Sequence, residues 1–240
     1  MRFIQCKDYA ELSLTAAKIM QEKIIQKPNA VLGLATGSTP VGMYQNLVKM
    51  HREEGLDFSA VSSYNLDEYY PLSSDDPQSY RYFMNQNLFD HINIDKSRTH
   101  VPSGEAKDPE AECARYEELL ASSGGVDIQV LGIGENGHIG FNEPADILHA
   151  KTHLIHLTQD TIEVNARFFD KIEDVPTKAL TMGMGSIMSA KTILLLISGA
   201  KKHRVLRSLF DDSITTQIPA TLLKTHSDVI VIYDDAAYHG

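Results

Sequence analysis

Six short runs rich in β-branched and other apolar residues, at 30–35, 62–66, 127–132, 152–157, 192–198 and 228–233, alternate with longer segments of helical period. Four of these runs are nearly all apolar. That is the pattern of strands covered on both sides, and parallel strands of this kind need crossover connections that helices supply. The alternation therefore predicts an α/β fold, a mostly parallel sheet with helices on both faces. Within 240 residues there is no internal repeat, low-complexity tract or Gly/Ser linker, so a single domain over 1–240 is expected.

Helix starts are legible between the runs. Asp8 and Glu11 have the spacing of a capping pair ahead of a helix reaching residue 26, Asp108 followed by Pro109 gives a second start, and Thr39 with Pro40 a third. Apolar spacing adds helices over 79–89, 161–169 and 200–210.

Composition narrows the partners. Hydrophobic residues at 42% and charged residues at 22% are ordinary for a compact chain. The net charge of -10 and the lack of a Lys/Arg run argue against nucleic acid. No segment approaches the roughly 20 apolar residues that cross a bilayer, and MRFIQCKDYAEL lacks a signal-peptide core, so a cytoplasmic protein without a membrane partner is expected. Cys6 and Cys113 are too few for a disulfide scaffold and lack zinc-site spacing.

In an open parallel sheet, ligands bind beyond the carboxyl ends of the strands, and three clusters fall at such ends. In LGLATGSTP, an apolar run passes through Thr36, Gly37, Ser38 and Thr39 into a helix opened by Pro40. Free amides at a helix start, the helix dipole and the hydroxyls suit an anion; the same residues equally suit a plain strand-to-helix turn with Thr39 as a cap. The P-loop lysine is absent. In SSYNLDEYYPL, Asp67 and Glu68 follow a strand. Shielded, adjacent acids gain proton affinity, which suits a base working near neutrality, whereas an isolated acidic pair is more often a solvated turn. In VLGIGENGHIGFNEP, glycines surround Asn136, His138, Asn142 and Glu143, and a turn near Gly140 would let Glu143 orient the His138 ring. That combination favours a functional site, although the dinucleotide fingerprint fails because GIGENG runs into His138 and a loop.

Other features read blandly. His149, His153 and His156 cannot share a helical face if 152–157 is a strand, and solvated or capping roles are expected for them. Met182, Met184 and Met188 read as core filling, and Tyr69 and Tyr70 suit either a pocket wall or packing. Arg167 in VNARFFD and Lys202 in SGAKKH are cations placed to meet a phosphate or, as for any single basic residue, to face solvent.

Together and in this order, LGLATGSTP, NLDEYY, GENGHIGFNEP, ARFFD and SGAKKH resemble the glucosamine-6-phosphate deaminase family, over about residues 1 to 235. NLDEYY and GHIGFNEP are the specific pair, whereas the Gly-Ser-Thr loop is shared with relatives such as 6-phosphogluconolactonases. The resemblance implies a Rossmann-like fold with no metal and no organic cofactor. It also implies a small phosphosugar substrate and conversion of glucosamine 6-phosphate to fructose 6-phosphate and ammonia. It assigns the phosphate and substrate contacts to Thr36, Gly37, Ser38, Thr39, Gly132, Arg167 and Lys202. It assigns ring opening to His138 with Glu143 and Asn136, and the C2 proton to Asp67.

The chain departs from hexameric, allosterically activated members of that family. They carry Asp where Asn136 stands, their basic activator positions fall here at His153 and Ile155, and their carboxyl-terminal extension is missing. A monomer with hyperbolic kinetics is therefore expected. The competing readings are a lactonase-like hydrolase, against which NLDEY and FNEP argue, and a non-catalytic sugar-phosphate sensor, for which a DNA-binding segment is lacking.

Overall fold

A computed structural model describes residues 1–158, 162, 171 and 174–240. Seven parallel strands form the main sheet: β1 (Arg2–Cys6), β2 (Val31–Leu34), β3 (Ser62–Asn65), β5 (Thr99–His100), β6 (Ile128–Leu131), β9 (Ile193–Ile197) and β10 (Val229–Asp234), in the order β1-β10-β9-β6-β2-β3-β5. The central strands β2, β6, β9 and β10 are buried along their whole length, as their apolar sequences require. The α/β class and the parallel sheet expected from the sequence are those observed.

Helices α1 (Tyr9–Gln26) and α2 (Val41–Glu54) pack on each other. Right-handed crossovers put them on one face, and put α4 (Pro109–Ser122) and α6 (His203–Phe210), whose connections run the opposite way along the sheet, on the other. The caps follow the sequence. Asp8 accepts from the Glu11 amide at 2.9 Å while Glu11 reaches back to the Lys7 amide at 2.8 Å, and α1 ends at Gln26. Asp108 likewise takes the amides of Glu110 and Ala111.

Three expectations need correction. Helix α2 starts at Val41 with Pro40 as its N-cap and no side-chain bond, so Thr39 is not a cap. The run at 152–157 forms β7 (His153–His156), but in a separate antiparallel sheet, β4-β8-β7, with β4 (Asp67–Tyr70) and β8 (Lys178–Thr181). Lys202 closes a 3-10 turn, Ala200–Lys202, and precedes α6 instead of lying in its first turn. The helix expected over 161–169 falls outside the described residues, apart from residue 162.

Strand β2 connects to β3 on one side and has β6 on the other, so the topological switch lies between β2 and β6. The loops after these two strands face a common crevice at the carboxyl edge, with the exits of β3 and β9 beside it. Met182 and Met184 fill the core, and Met188, which ends the short helix α5 (Met184–Met188), packs against it.

Candidate active site

Asp67 begins β4 directly after β3, and antiparallel pairing sets it opposite Thr181 of β8. Residues opposed in this way share a face of the sheet. Asp67 is only 6% exposed. No donor among the described residues bonds its carboxyl group. Burial, and secondly the charge of Glu68, raise its pKa to about 8.

Glu68, 2% exposed, points into a cage of donors: its own strand's Tyr69 amide, the Ser79 hydroxyl, and the Tyr80 and Arg81 amides that open α3 (Tyr80–Asn87). The Ser79 oxygen already accepts from the Tyr82 amide, so its proton goes to Glu68. Burial raises the Glu68 pKa, and these bonds pull it only part of the way back. Because every partner donates, the cage fits a carboxylate, and the strain of two neighbouring charges falls on Asp67. The acidic pair is therefore buried in the crevice wall and is not a solvated turn.

Opposite Asp67 lies the glycine-rich loop. The Thr181 hydroxyl accepts from the Phe141 amide at 3.2 Å, and Asn142 donates to the carbonyls of Ile139 and Met182 at 2.9 and 2.8 Å. Met182 in turn donates its amide to the Leu66 carbonyl at 2.7 Å, which ties this loop to the end of β3. Gly140 has φ +58, and a Cβ there would stand 3.1 Å from Thr181 Oγ1 and 3.3 Å from Asp67 Oδ2. A side chain at 140 would crowd both of these oxygens.

The same loop builds an acid–base array. Asn136 Oδ1 accepts from the His138 amide at 3.1 Å, which fixes the orientation of its amide group, and its Nδ2 donates to Glu143 Oε2 at 2.7 Å. The other carboxyl oxygen, Oε1, lies 3.3 Å from His138 Nδ1. That is within ion-pair distance for a protonated imidazole, but the contact does not meet hydrogen-bond geometry. The ring lies over Gly134, where a Cβ would come within 2.3 Å of it.

The loop after β2 borders a cavity of about 420 Å³ lined by Tyr9, Ser38, Thr39, Val41, Gln45 and Ser198. Among the described residues, the amides of Gly37, Ser38 and Thr39 meet no acceptor. Ser198 and the Gly199 amide bond Asp234, which shapes the turn leading to Lys202. Burial lowers the proton affinity of Lys202, and Glu135 partly restores it. Gly132 follows β6 at the same edge, and Arg167 lies outside the described residues. Among the described residues no three His, Cys, Asp or Glu side chains gather as a metal site, and His149 and His153 stack on each other with centroids 4.1 Å apart.

The profile of the family described as glucosamine-6-phosphate isomerases/6-phosphogluconolactonase matches residues 8–232. The chain belongs to this family. It is 56% identical to a glucosamine-6-phosphate deaminase of Clostridium perfringens strain 13, over 99% of this chain and 98% of that one. It is 51% identical to the deaminase of Halothermothrix orenii over the same shares. A solved monomeric glucosamine-6-phosphate deaminase superposes with a TM-score of 0.97 at 50% identity, covering 100% of this chain and 99% of that one. The 6-phosphogluconolactonase of Thermotoga maritima shares the fold, with a TM-score of 0.77 at 19% identity over 98% and 99% of the two chains.

Thr181, which none of the sequence motifs contains, joins Asp67 and Gly140 in the structure. Its signal was weak. KALT is a short strand without β-branched residues until its last position, and only pairing with β4 gives it a role.

Proposed function

We propose that this chain deaminates glucosamine 6-phosphate to fructose 6-phosphate and ammonia, acting as an isomerising hydrolase. The observation that carries this reading is a buried carboxyl group of raised proton affinity, Asp67, whose Oδ2 stands beside the bare backbone of Gly140, with the His138–Glu143–Asn136 array on the same loop. The free amides of Gly37, Ser38 and Thr39 hold the phosphate together with Lys202, whose burial is then offset by the anion. Gly132 leaves room for the sugar and Arg167 supplies a further cation.

Glu143 orients the His138 imidazole, which carries the proton from the anomeric hydroxyl to the ring oxygen as the pyranose opens. Asp67 takes the C2 proton, now acidified by the C1 aldehyde, and the resulting enol takes it back at C1. This leaves an imine at C2; water adds there, ammonia departs and the ketose remains. A carboxyl of pKa about 8 suits both halves, since it accepts a carbon-bound proton and returns it. The names of the similar deaminases support this substrate, and the monomeric state of the solved deaminase that superposes on this chain supports a monomer acting without subunit neighbours.

The test measures ammonia release from glucosamine 6-phosphate beside hydrolysis of 6-phosphogluconolactone. The proposal expects the first reaction to be fast and the second at background. Lactone hydrolysis without ammonia release overturns it.

A further inference from the structure

The geometry points to Tyr9 as a positioning residue: its phenol holds the loop after β2 so that the Thr39 amide faces the anion, and it thereby sets affinity for the phosphate end of the substrate. This rests on the reading above that the loop grips phosphate.

Tyr9 begins α1 and so belongs to a different element from the loop it touches. Its hydroxyl lies 3.0 Å from the Ser38 carbonyl and 3.1 Å from the Thr39 carbonyl, and it accepts from the Gly42 amide at 2.8 Å. One phenolic proton is thus shared between two carbonyls, and the phenol oxygen takes an amide of the first turn of α2. Pro40, the N-cap of that helix, offers no side-chain bond, so Tyr9 supplies from outside the capping acceptor that the loop lacks.

The consequence follows from peptide planarity. In a trans peptide the carbonyl of residue 38 and the N–H of residue 39 point in opposite directions. Drawing the Ser38 carbonyl onto the phenol turns the Thr39 N–H away from Tyr9. The next peptide has no N–H, because residue 40 is proline, so its only polar group is the Thr39 carbonyl, which the same phenol also holds. Two carbonyl oxygens that would repel an anion are thereby occupied, and the intervening donor is left free. With the phenol removed, the loop keeps its sequence but its peptide planes are free to rotate, and a carbonyl turned towards the phosphate costs binding.

Tyr9 is 39% exposed, so Tyr9→Phe removes one hydroxyl and little packing. The test compares the native chain with Tyr9→Phe in KM and kcat for glucosamine 6-phosphate, in the dissociation constant of inorganic phosphate measured directly by calorimetry, and in the Thr39 amide NMR shift on adding phosphate. Loss of one well-aligned bond is expected to weaken both KM and phosphate binding about 10-fold, with kcat within about twofold. The phosphate-induced Thr39 shift is expected to collapse, while the melting temperature moves only slightly. A lowered melting temperature with KM, phosphate affinity and the Thr39 shift all native would make Tyr9 merely structural and overturn the proposal. If the native chain releases no ammonia, the functional reading fails, but the calorimetric and NMR arms still decide the role of Tyr9. A native chain that binds no phosphate overturns both.

Discussion

Burial and the neighbouring Glu68 charge raise the Asp67 pKa to about 8, so the base proposed for the reaction gains its charge only as the pH rises above neutrality. The kcat/KM of the native chain is expected to climb with pH and to level above about 8. Glu68→Gln removes the second of the two causes, so its acidic limb should move to lower pH while staying above 3.8, because burial remains. An unmoved limb would separate Glu68 from the base. The same burial has a stability cost. The folded carboxyl holds its proton above the unfolded value of 3.8, so the native state binds more protons between that value and about 8, and stability falls as pH rises through this window. Asp67→Asn, which has nothing to ionise, is therefore expected to melt higher than the native chain at pH 8. A gain of about 1 kcal/mol corresponds to roughly 2–4 °C, and the gap should close towards pH 4; thermal melts across this range check it. A native chain that melts higher than the variant at pH 8 would mean that the carboxylate is well satisfied.

Elements differ in how much of them the sequence discloses. Strands β2, β6, β9 and β10 are covered on both faces, so packing demands an apolar run and the run is visible. Strands β4 and β8, which carry the Asp67–Thr181 pair, read DEYY and KALT, because Glu68 is buried by polar caging from α3 and not by apolar contact. Strand β1 is an edge whose exposure changes along its length, and it shows no clean period. The placement of 152–157 in the smaller sheet is a matter of long-range pairing that local periodicity does not encode. The acids and the imidazole were legible because glycine density and strand-end position are local properties; the anchoring of the glycine-rich loop by Thr181 and of the loop after β2 by Tyr9 was not. At the opposite edge of the sheet, the buried Asp127 carboxylate takes Lys27 and Lys191 at 2.7 Å each and the Val31 amide at 2.8 Å, joining the starts of β2, β6 and β9. Burial alone would raise its pKa, but these donors prevail and hold it at about 2, so its stabilisation is present above 3.8 and is lost as pH falls towards 2. Asp127→Asn is expected to lose about 1–3 kcal/mol at pH 7, with the difference vanishing near pH 2 in acid-denaturation curves. A loss that persists at pH 2 would argue for packing instead of charge.

For the molecule as a whole, the loops after β2 and β6 leave the carboxyl edge of the parallel sheet, and Asp67 follows directly after β3 at that edge, at the start of β4 of the smaller sheet. His153 and Ile155, which the family resemblance matches to the basic activator positions of allosteric members, lie on β7. We propose that the chain works as a monomer with hyperbolic kinetics; a sigmoidal rate curve that N-acetylglucosamine 6-phosphate makes hyperbolic would contradict this. The proposed chemistry depends on Asp67 reaching the carbon that bears the amine, and solvent exchange at that carbon reads this directly. In deuterated water the native chain should exchange the C2 proton of glucosamine 6-phosphate, whereas Asp67→Asn should bind inorganic phosphate as tightly and exchange none. Exchange by Asp67→Asn at the native rate would contradict the account.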